Sequence, residues 1–350
     1  MLALAPRRQP ITHLLATSVV FFACSKKATP PPAPADDAGS GSAALPAATA
    51  PRPTATYAPA PRAARSGLAR RCVLAGDPLA SDCVGGGEGI AFGKDGLLYV
   101  VDGRQVRRYQ RAAGDDCRFE SSGEPIAMPP DNPRPQSIKG PVYMRSGGAA
   151  WHLVRAGDAV YAHDFLGGLV RVDRNKAEPV CSDVFGFKSM VALGKNVLIA
   201  RNGIEALTLG KRCKAVPAKL GGKPRGELYV VGDQLYAASG GQLQRYAGAT
   251  PAPVAAGAKL CYVKAVTACG DGACVLDSNC MQLVQLAADG SVLRTLGGDQ
   301  LFATRPWSVA DATTDVAGDV FVLARHRDKT NGKEICEAAI YELPAAAFAP

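Results

Sequence analysis

A short pattern recurs six times and limits the architecture more than anything else in the chain. Each copy opens on a glycine, often Gly-Asp, and runs on through β-favouring residues: Gly96–Asp102, Gly157–His163, Gly194–Ala200, Gly232–Ala238, Gly270–Leu276 and Gly318–Ala324. The equivalent central residues are Tyr99, Tyr161, Leu198, Tyr236, Val275 and Phe321, and their spacings are 62, 37, 38, 39 and 46. Four of the five lie near the roughly 40-residue period of propeller blades. The long one contains the Pro-rich stretch Pro125 to Pro141, read as an insertion between the first two blades. An apolar run precedes each copy, such as Ile90–Phe92 or Leu228–Val231, and another follows it, such as Leu169–Val172 or Leu243–Tyr246. Strand, glycine turn, strand, polar hairpin and strand make a meander. No stretch of this part keeps helical periodicity over three turns. The expected fold class is all-β, a six-bladed propeller of four-stranded antiparallel blades over residues 67–350. The strand around Cys72–Leu74 is expected to complete the last blade.

The fullest copy, Glu88 to Asp102, resembles the blades of NHL-repeat propellers and of gluconolactonase-like six-bladed propellers. The likeness is strong over about 15 residues and loose in the other copies, and propellers host unrelated activities. The gluconolactonase-like resemblance implies a divalent metal in the central channel with Glu88 as one ligand. The matching strand openings near Trp151, Ser189, Glu227 and Val266 offer no Asn-Gly or Asp-Gly partners, and one carboxylate does not make an oxygen cage. The expectation is therefore no cofactor, with a Glu88-bound divalent metal as the alternative.

The chain begins with Arg7 and Arg8, an apolar run from Ile11 to Phe22, and then Ala23-Cys24-Ser25. A basic start, a dozen apolar residues and a small residue before the cut describe a secretory signal over residues 1–23. The run falls short of the roughly 20 apolar residues of a membrane span. Cysteine after the small residue resembles the lipobox of bacterial lipoproteins, although Phe21 and Phe22 stand where that family prefers Leu and a small residue. The resemblance implies a lipid on Cys24 and attachment to a membrane; Ser25 in place of Asp points to the outer membrane of a Gram-negative envelope. Residues 24–66 are rich in Ala, Pro, Ser and Thr, unable to pack a core and fit for a tether.

Charge then reads differently. The net charge of +9 includes Arg7 and Arg8 of the leader, and the tether adds five basic against two acidic residues, which leaves the folded part near +4. No basic block is concentrated there, so nucleic-acid binding is not supported.

Of the 11 cysteines, Cys24 belongs to the anchor. The others are Cys72, Cys83, Cys117, Cys181, Cys213, Cys261, Cys269, Cys274, Cys280 and Cys336, an even set that reads as disulfides in an exported chain, with open connectivity. Cys269, Cys274 and Cys280 are close in sequence, but they lack zinc spacing and a nearby histidine.

The hairpin tips between second and third strands are expected on the face that carries the blade-to-blade loops. This gathers Asp102, Arg104, His163, Asp164, Arg201, Asn202, Asp277, Asn279, Arg325 and His326 as binding candidates. The plain reading is that such tips are polar because they are wet. Trp151 and Trp307, at inner-strand starts, are expected to fill gaps between blades, with a sugar-stacking platform as the alternative. The functional expectation is a lipid-anchored envelope propeller that binds a protein or polymer partner without catalysis. The alternatives are a metal-dependent hydrolase or lactonase and a carbohydrate binder.

Overall fold

The computed structural model describes residues 68–348 except 77, 80–88, 104, 115, 130–150, 165–168, 182–183, 185, 202, 211–212, 221–225 and 331–332. The expected leader and tether, Cys24 and Glu88 lie outside these residues. All described residues belong to the unit Thr54–Pro350.

Among the described residues, six sheets, antiparallel apart from one short parallel pair in the first, form six blades. Their inner strands are Ile90–Phe92, Trp151–Ala156, Ser189–Leu193, Glu227–Val231, Val263–Cys269 and Ser308–Thr314 for blades 1 to 6. Each inner strand contacts the next, and that of blade 6 contacts that of blade 1, so the ring is closed. The glycines that open the six copies all adopt positive φ, from +53° at Gly270 to +89° at Gly318, in the turn between first and second strands. This conformation is easily reached only without a Cβ, which is why glycine punctuates the repeat. The six central residues from Tyr99 to Phe321 are buried on the second strands.

A sheet is a sandwich filling here: both faces of every blade need cover. Six apolar clusters supply it, one between each pair of neighbouring blades. Between blades 6 and 1, for example, Phe321 meets Phe92 and Phe119 edge to face at 5.2 and 5.6 Å between ring centres. Such pairs add to the area they bury.

The ends of the fold close the ring, but one residue pair earlier than expected. Arg70–Arg71 is the outer strand of blade 6, pairing antiparallel with Lys333–Leu343. Val73–Leu74 instead pairs in parallel with Arg118–Ser121 of blade 1. Cys72 lies at the crossing and is bonded to Cys117, which holds the strand entering blade 1 against that blade's outer edge. The expected insertion also contributes structure, since Ile126–Ala127 pairs with Gln105–Arg111 of blade 1.

Charge reinforces the closure. The buried Glu342 carboxylate pairs with Arg70 and with Arg111 of blade 1, and Arg111 also reaches Asp315 at 3.0 Å and Asp319 at 2.8 Å. Burying a carboxylate without such partners is costly.

The cysteines pair as expected for an exported chain. The bonds are Cys72–Cys117, Cys181–Cys213, Cys261–Cys280 and Cys269–Cys274. Cys336 is also disulfide-bonded; Cys83 lies outside the described residues. Bonds of this number belong to an oxidising compartment. Among the described residues, no helix is long and apolar enough to cross a membrane.

Candidate functional site: the axial channel and the cleft between blades 5 and 6

Inner strands of a propeller alternate between residues packed against a neighbouring blade and residues facing the axis. His152, Glu227, Tyr229, Lys264 and Asp311 are half-buried polar residues of the inner strands, and their charges act on one another from blade to blade. Tyr229 Oη lies 2.6 Å from Glu227 Oε2 and 3.0 Å from the Lys264 carbonyl oxygen, so it bridges blades 4 and 5. Asp311 Oδ2 accepts the Ile90 N–H at 3.0 Å and its Oδ1 accepts the Ala312 N–H at 2.8 Å, which joins blade 6 to blade 1.

These surroundings shift protonation in opposite senses. Burial holds His152 down to about 3, helped by the positive charges of Lys264 and Arg325, so its imidazole is neutral near pH 7. Burial pushes the Asp311 carboxyl up to about 7 and Glu227 adds to the rise, against the backbone donors and Lys264. Tyr229 is raised well above its usual range, by burial first and then by Glu227, and stays a neutral donor. Asp311 thus has a carboxyl raised to about 7 within the field of a lysine and a second carboxyl.

A cleft of 710 Å³ opens between blades 5 and 6, lined by Tyr262, Lys264, Ser278, Asn279, Arg305, Trp307 and Arg325 among others. Three of its described lining residues are cationic and none is acidic. Trp307 is 50% exposed, with the Arg327 guanidinium 5.3 Å from its ring centre. It does not fill a gap between blades, contrary to expectation: its backbone N–H donates to the Arg325 carbonyl at 2.7 Å, which leaves the indole at the rim. Trp151 begins the inner strand of blade 2, and its side chain lies outside the described residues.

The structure separates the expected hairpin-tip candidates. Asn279 and Arg325 line the cleft. Asp277 does not face a ligand: it is fully buried and accepts N–H groups from Cys261, Tyr262, Asn279 and Cys280 and the Gln282 side chain, between 2.6 and 3.2 Å. It pins two loops of blade 5. Asp102 is likewise buried, paired with Arg107 at 2.7 Å. His163 is buried, stacked on His152 at 5.4 Å and packed against Phe187. The His326 ring nitrogen Nε2 lies 2.7 Å from the Tyr341 hydroxyl, and burial lowers its proton affinity, helped by Arg71 and opposed by Glu337 and Asp328. Arg201 is exposed and pairs with Glu205 at 2.6 Å. Arg104, Asn202, the Asp164 side chain and Glu88 lie outside the described residues.

A possible metal centre fails on its donors. Cys261, Asp277 and Cys280 stand within 4.8 Å of one another. The two sulfurs are bonded to each other, so no thiolate is available, and the Asp277 oxygens are occupied by N–H donors.

Tyr229, Lys264, Asp311 and Arg305 belong to no motif of the sequence, and Glu227 marks only a strand opening there. The trace they left is a single charge inside an apolar run, as in Val263-Lys264-Ala265-Val266 and Val309-Ala310-Asp311-Ala312.

No family model matches the chain, and no curated protein matches it. Solved structures resemble it in backbone. Selenomethionine-substituted virginiamycin B lyase from Staphylococcus aureus is 10% identical over 75% of this chain and 86% of its own, with a TM-score of 0.47. The PQQ-bound form of aldose sugar dehydrogenase from Streptomyces coelicolor is 12% identical over 79% and 100%, at 0.46. A protein of unknown function from Bacteroides caccae is 13% identical over 65% and 85%, at 0.43. At these values the likeness says nothing of activity, and the blade count comes from this chain's own strand pairing.

Proposed function

We propose that this chain is a lipid-anchored envelope propeller, held to the membrane through Cys24, that binds an acidic saccharide of the cell envelope in the cleft between blades 5 and 6. The observation that carries the reading is the cleft's composition: Lys264, Arg305 and Arg325 stand in its described lining, around the exposed indole of Trp307. An indole offers a flat apolar face to a sugar ring, and guanidinium groups pair with carboxylates in a planar fork. Exposed aromatic area beside several cations is poor design for solubility alone and good design for a charged ring-bearing ligand. Binding without turnover is sufficient to account for this cleft. The tether of residues 24–66 would let the propeller search the envelope while anchored.

The reading is tested by presenting the purified chain to a panel of acidic and neutral glycans. Binding confined to acidic members and lost in both Trp307→Ala and Arg305→Ala supports it. Binding of neutral glycans alone, or binding that survives both substitutions, defeats it.

A further inference from the structure

Seven large apolar side chains are exposed among the described residues, and only two of them are aromatic: Tyr262 at 39% and Trp307 at 50%. Both line the cleft between blades 5 and 6. Tyr262 directly precedes the inner strand of blade 5 and Trp307 that of blade 6, so they occupy one position of the repeat. The same position is Gly89, Ala150, Lys188 and Gly226 in blades 1 to 4. Aromatic residues thus open only the two inner strands that flank the cleft. Neither ring meets another aromatic ring among the described residues, so each offers its own face.

Both residues are fixed at the backbone. Around Tyr262 three consecutive N–H groups are bound: Cys261 to Asp277 Oδ2 at 2.6 Å, Tyr262 to Asp277 Oδ1 at 3.0 Å and Val263 to the Gly240 carbonyl at 2.9 Å. The Tyr262 carbonyl accepts the Ser278 N–H at 3.0 Å, and the Cys261–Cys280 bond ties the same two loops. The Trp307 backbone is held by Arg325, and the Arg327 guanidinium backs its ring. Tyrosine and tryptophan carry a large contact area on few rotatable bonds, so a ligand that settles on them costs little side-chain freedom. Ser278 and Asn279 line the cleft beside Tyr262 and offer hydroxyl and amide groups to a polyhydroxylated ligand.

We propose that Tyr262 determines the specificity of the cleft as a second stacking platform, so that the site takes two sugar rings of one chain, one on Trp307 and one on Tyr262. This rests on the reading of the cleft as a saccharide site. It sets the size of what is recognised: an acidic chain segment of at least two rings, not a monosaccharide. The 710 Å³ of the cleft lies in the upper part of the range of about 300–1,000 Å³ that holds drug-sized ligands. No bond is made or broken.

Calorimetric titration of the purified full chain with oligouronates of one, two and three rings tests this. Sulfated oligosaccharides of the same lengths form a second acidic series. The two-ring ligand should bind about tenfold more tightly than the one-ring ligand, the gain expected of one further aromatic contact. Tyr262→Ala should bring the two-ring ligand down to the one-ring level while changing one-ring affinity little, because side chain and sugar ring removed together do not add. Tyr262→Phe keeps the ring and should keep the gain. Weakening of every length by one factor in Tyr262→Ala overturns the second platform and reduces Tyr262 to a structural part. Full affinity of Tyr262→Ala for all lengths, with binding abolished in Trp307→Ala, also overturns it and leaves the cleft reading standing. So does a wild type that binds one ring as tightly as two. Absence of binding to both series at every length overturns platform and cleft together.

Discussion

The Asp277 carboxylate accepts the backbone N–H of Cys261 at 2.6 Å, so a second-strand residue of blade 5 holds the loop that enters the same blade. Three further backbone N–H groups and the Gln282 amide converge on the same two oxygens. Removing the carboxylate leaves buried donors without an acceptor. Asp277→Ala should therefore cost about 3 kcal/mol of stability in urea unfolding. Asp277→Asn should cost less, because one oxygen remains. If both variants unfold with the wild type, the carboxylate is not what holds these loops.

The Glu342 pairing with Arg70 and Arg111 predicts a closure defect. Glu342→Ala leaves Arg111 facing Asp315 and Asp319 alone and opens a buried site. About 3–5 kcal/mol is the usual cost of breaking a buried pair, and the half-exposed Arg70 puts the expectation at the lower end. Hydrogen exchange should rise first in Arg70–Arg71, the outer strand of blade 6, and in the outer strand of blade 1. Uniform exchange across all six blades would contradict a role in closure.

Asp319 gives the same seam an acid limb. Burial alone would raise its proton affinity, but Arg111 and the Ala345 N–H outweigh that and hold it below the ordinary carboxylate value. A carboxyl depressed on folding contributes stability above its unfolded value and loses it as pH falls through the folded one. Unfolding midpoints of wild type and Asp319→Asn should thus converge as the pH is lowered below about 4. A constant gap between them would show that ionisation of Asp319 is irrelevant.

His152 and Asp311 pull on stability in opposite directions. His152 resists protonation until about pH 3 when folded, whereas the unfolded chain accepts a proton near 6.5, so stability drops as pH falls between these values. Asp311 keeps its proton to about pH 7 when folded and loses it near 3.8 when unfolded, so its contribution is full below 3.8 and disappears as pH rises to 7. Each slope is at most about 1.4 kcal/mol per pH unit, and contact with channel solvent makes it smaller. Between pH 4 and 6.5 the two offset each other. Asp311→Asn should make stability rise with pH over this range, and His152→Gln should make it fall. Parallel profiles in the two variants would disprove the account.

The bond between Cys72 and Cys117 closes a loop of 45 residues at the point where the chain passes from blade 6 to blade 1. The double variant Cys72→Ala/Cys117→Ala should lose about 2–4 kcal/mol. Intact mass of the protein purified from its cells, before and after reduction, checks the wider set of bonds and the proposed lipid on Cys24. Free thiols in the unreduced protein would overturn export into an oxidising compartment.

Much of the fold was legible because local chemistry and tertiary need coincide in a repeat. Gly96, Gly157, Gly194, Gly232, Gly270 and Gly318 had to be glycine for their turns, and the residues after them had to be apolar without alternation because both faces of the second strand are covered. Those constraints act within a dozen residues, so the sequence by itself determined the six blades, and its even cysteine set indicated disulfides. It also singled out Asn279 and Arg325, which line the cleft between blades 5 and 6. Closure was decided only in three dimensions: Arg70–Arg71 or Val73–Leu74 could each extend an edge, and the choice depends on Glu342 and Cys117, far away in sequence. The same holds for the site. Asp277 and Asp311 are both single aspartates in apolar strands; one meets a cluster of backbone donors and becomes a pin, the other meets Glu227 and Lys264 across the channel and keeps a labile proton. Proton affinity and solvent contact are set by what four separate blades bring to one axis, and no local stretch of sequence contains that sum.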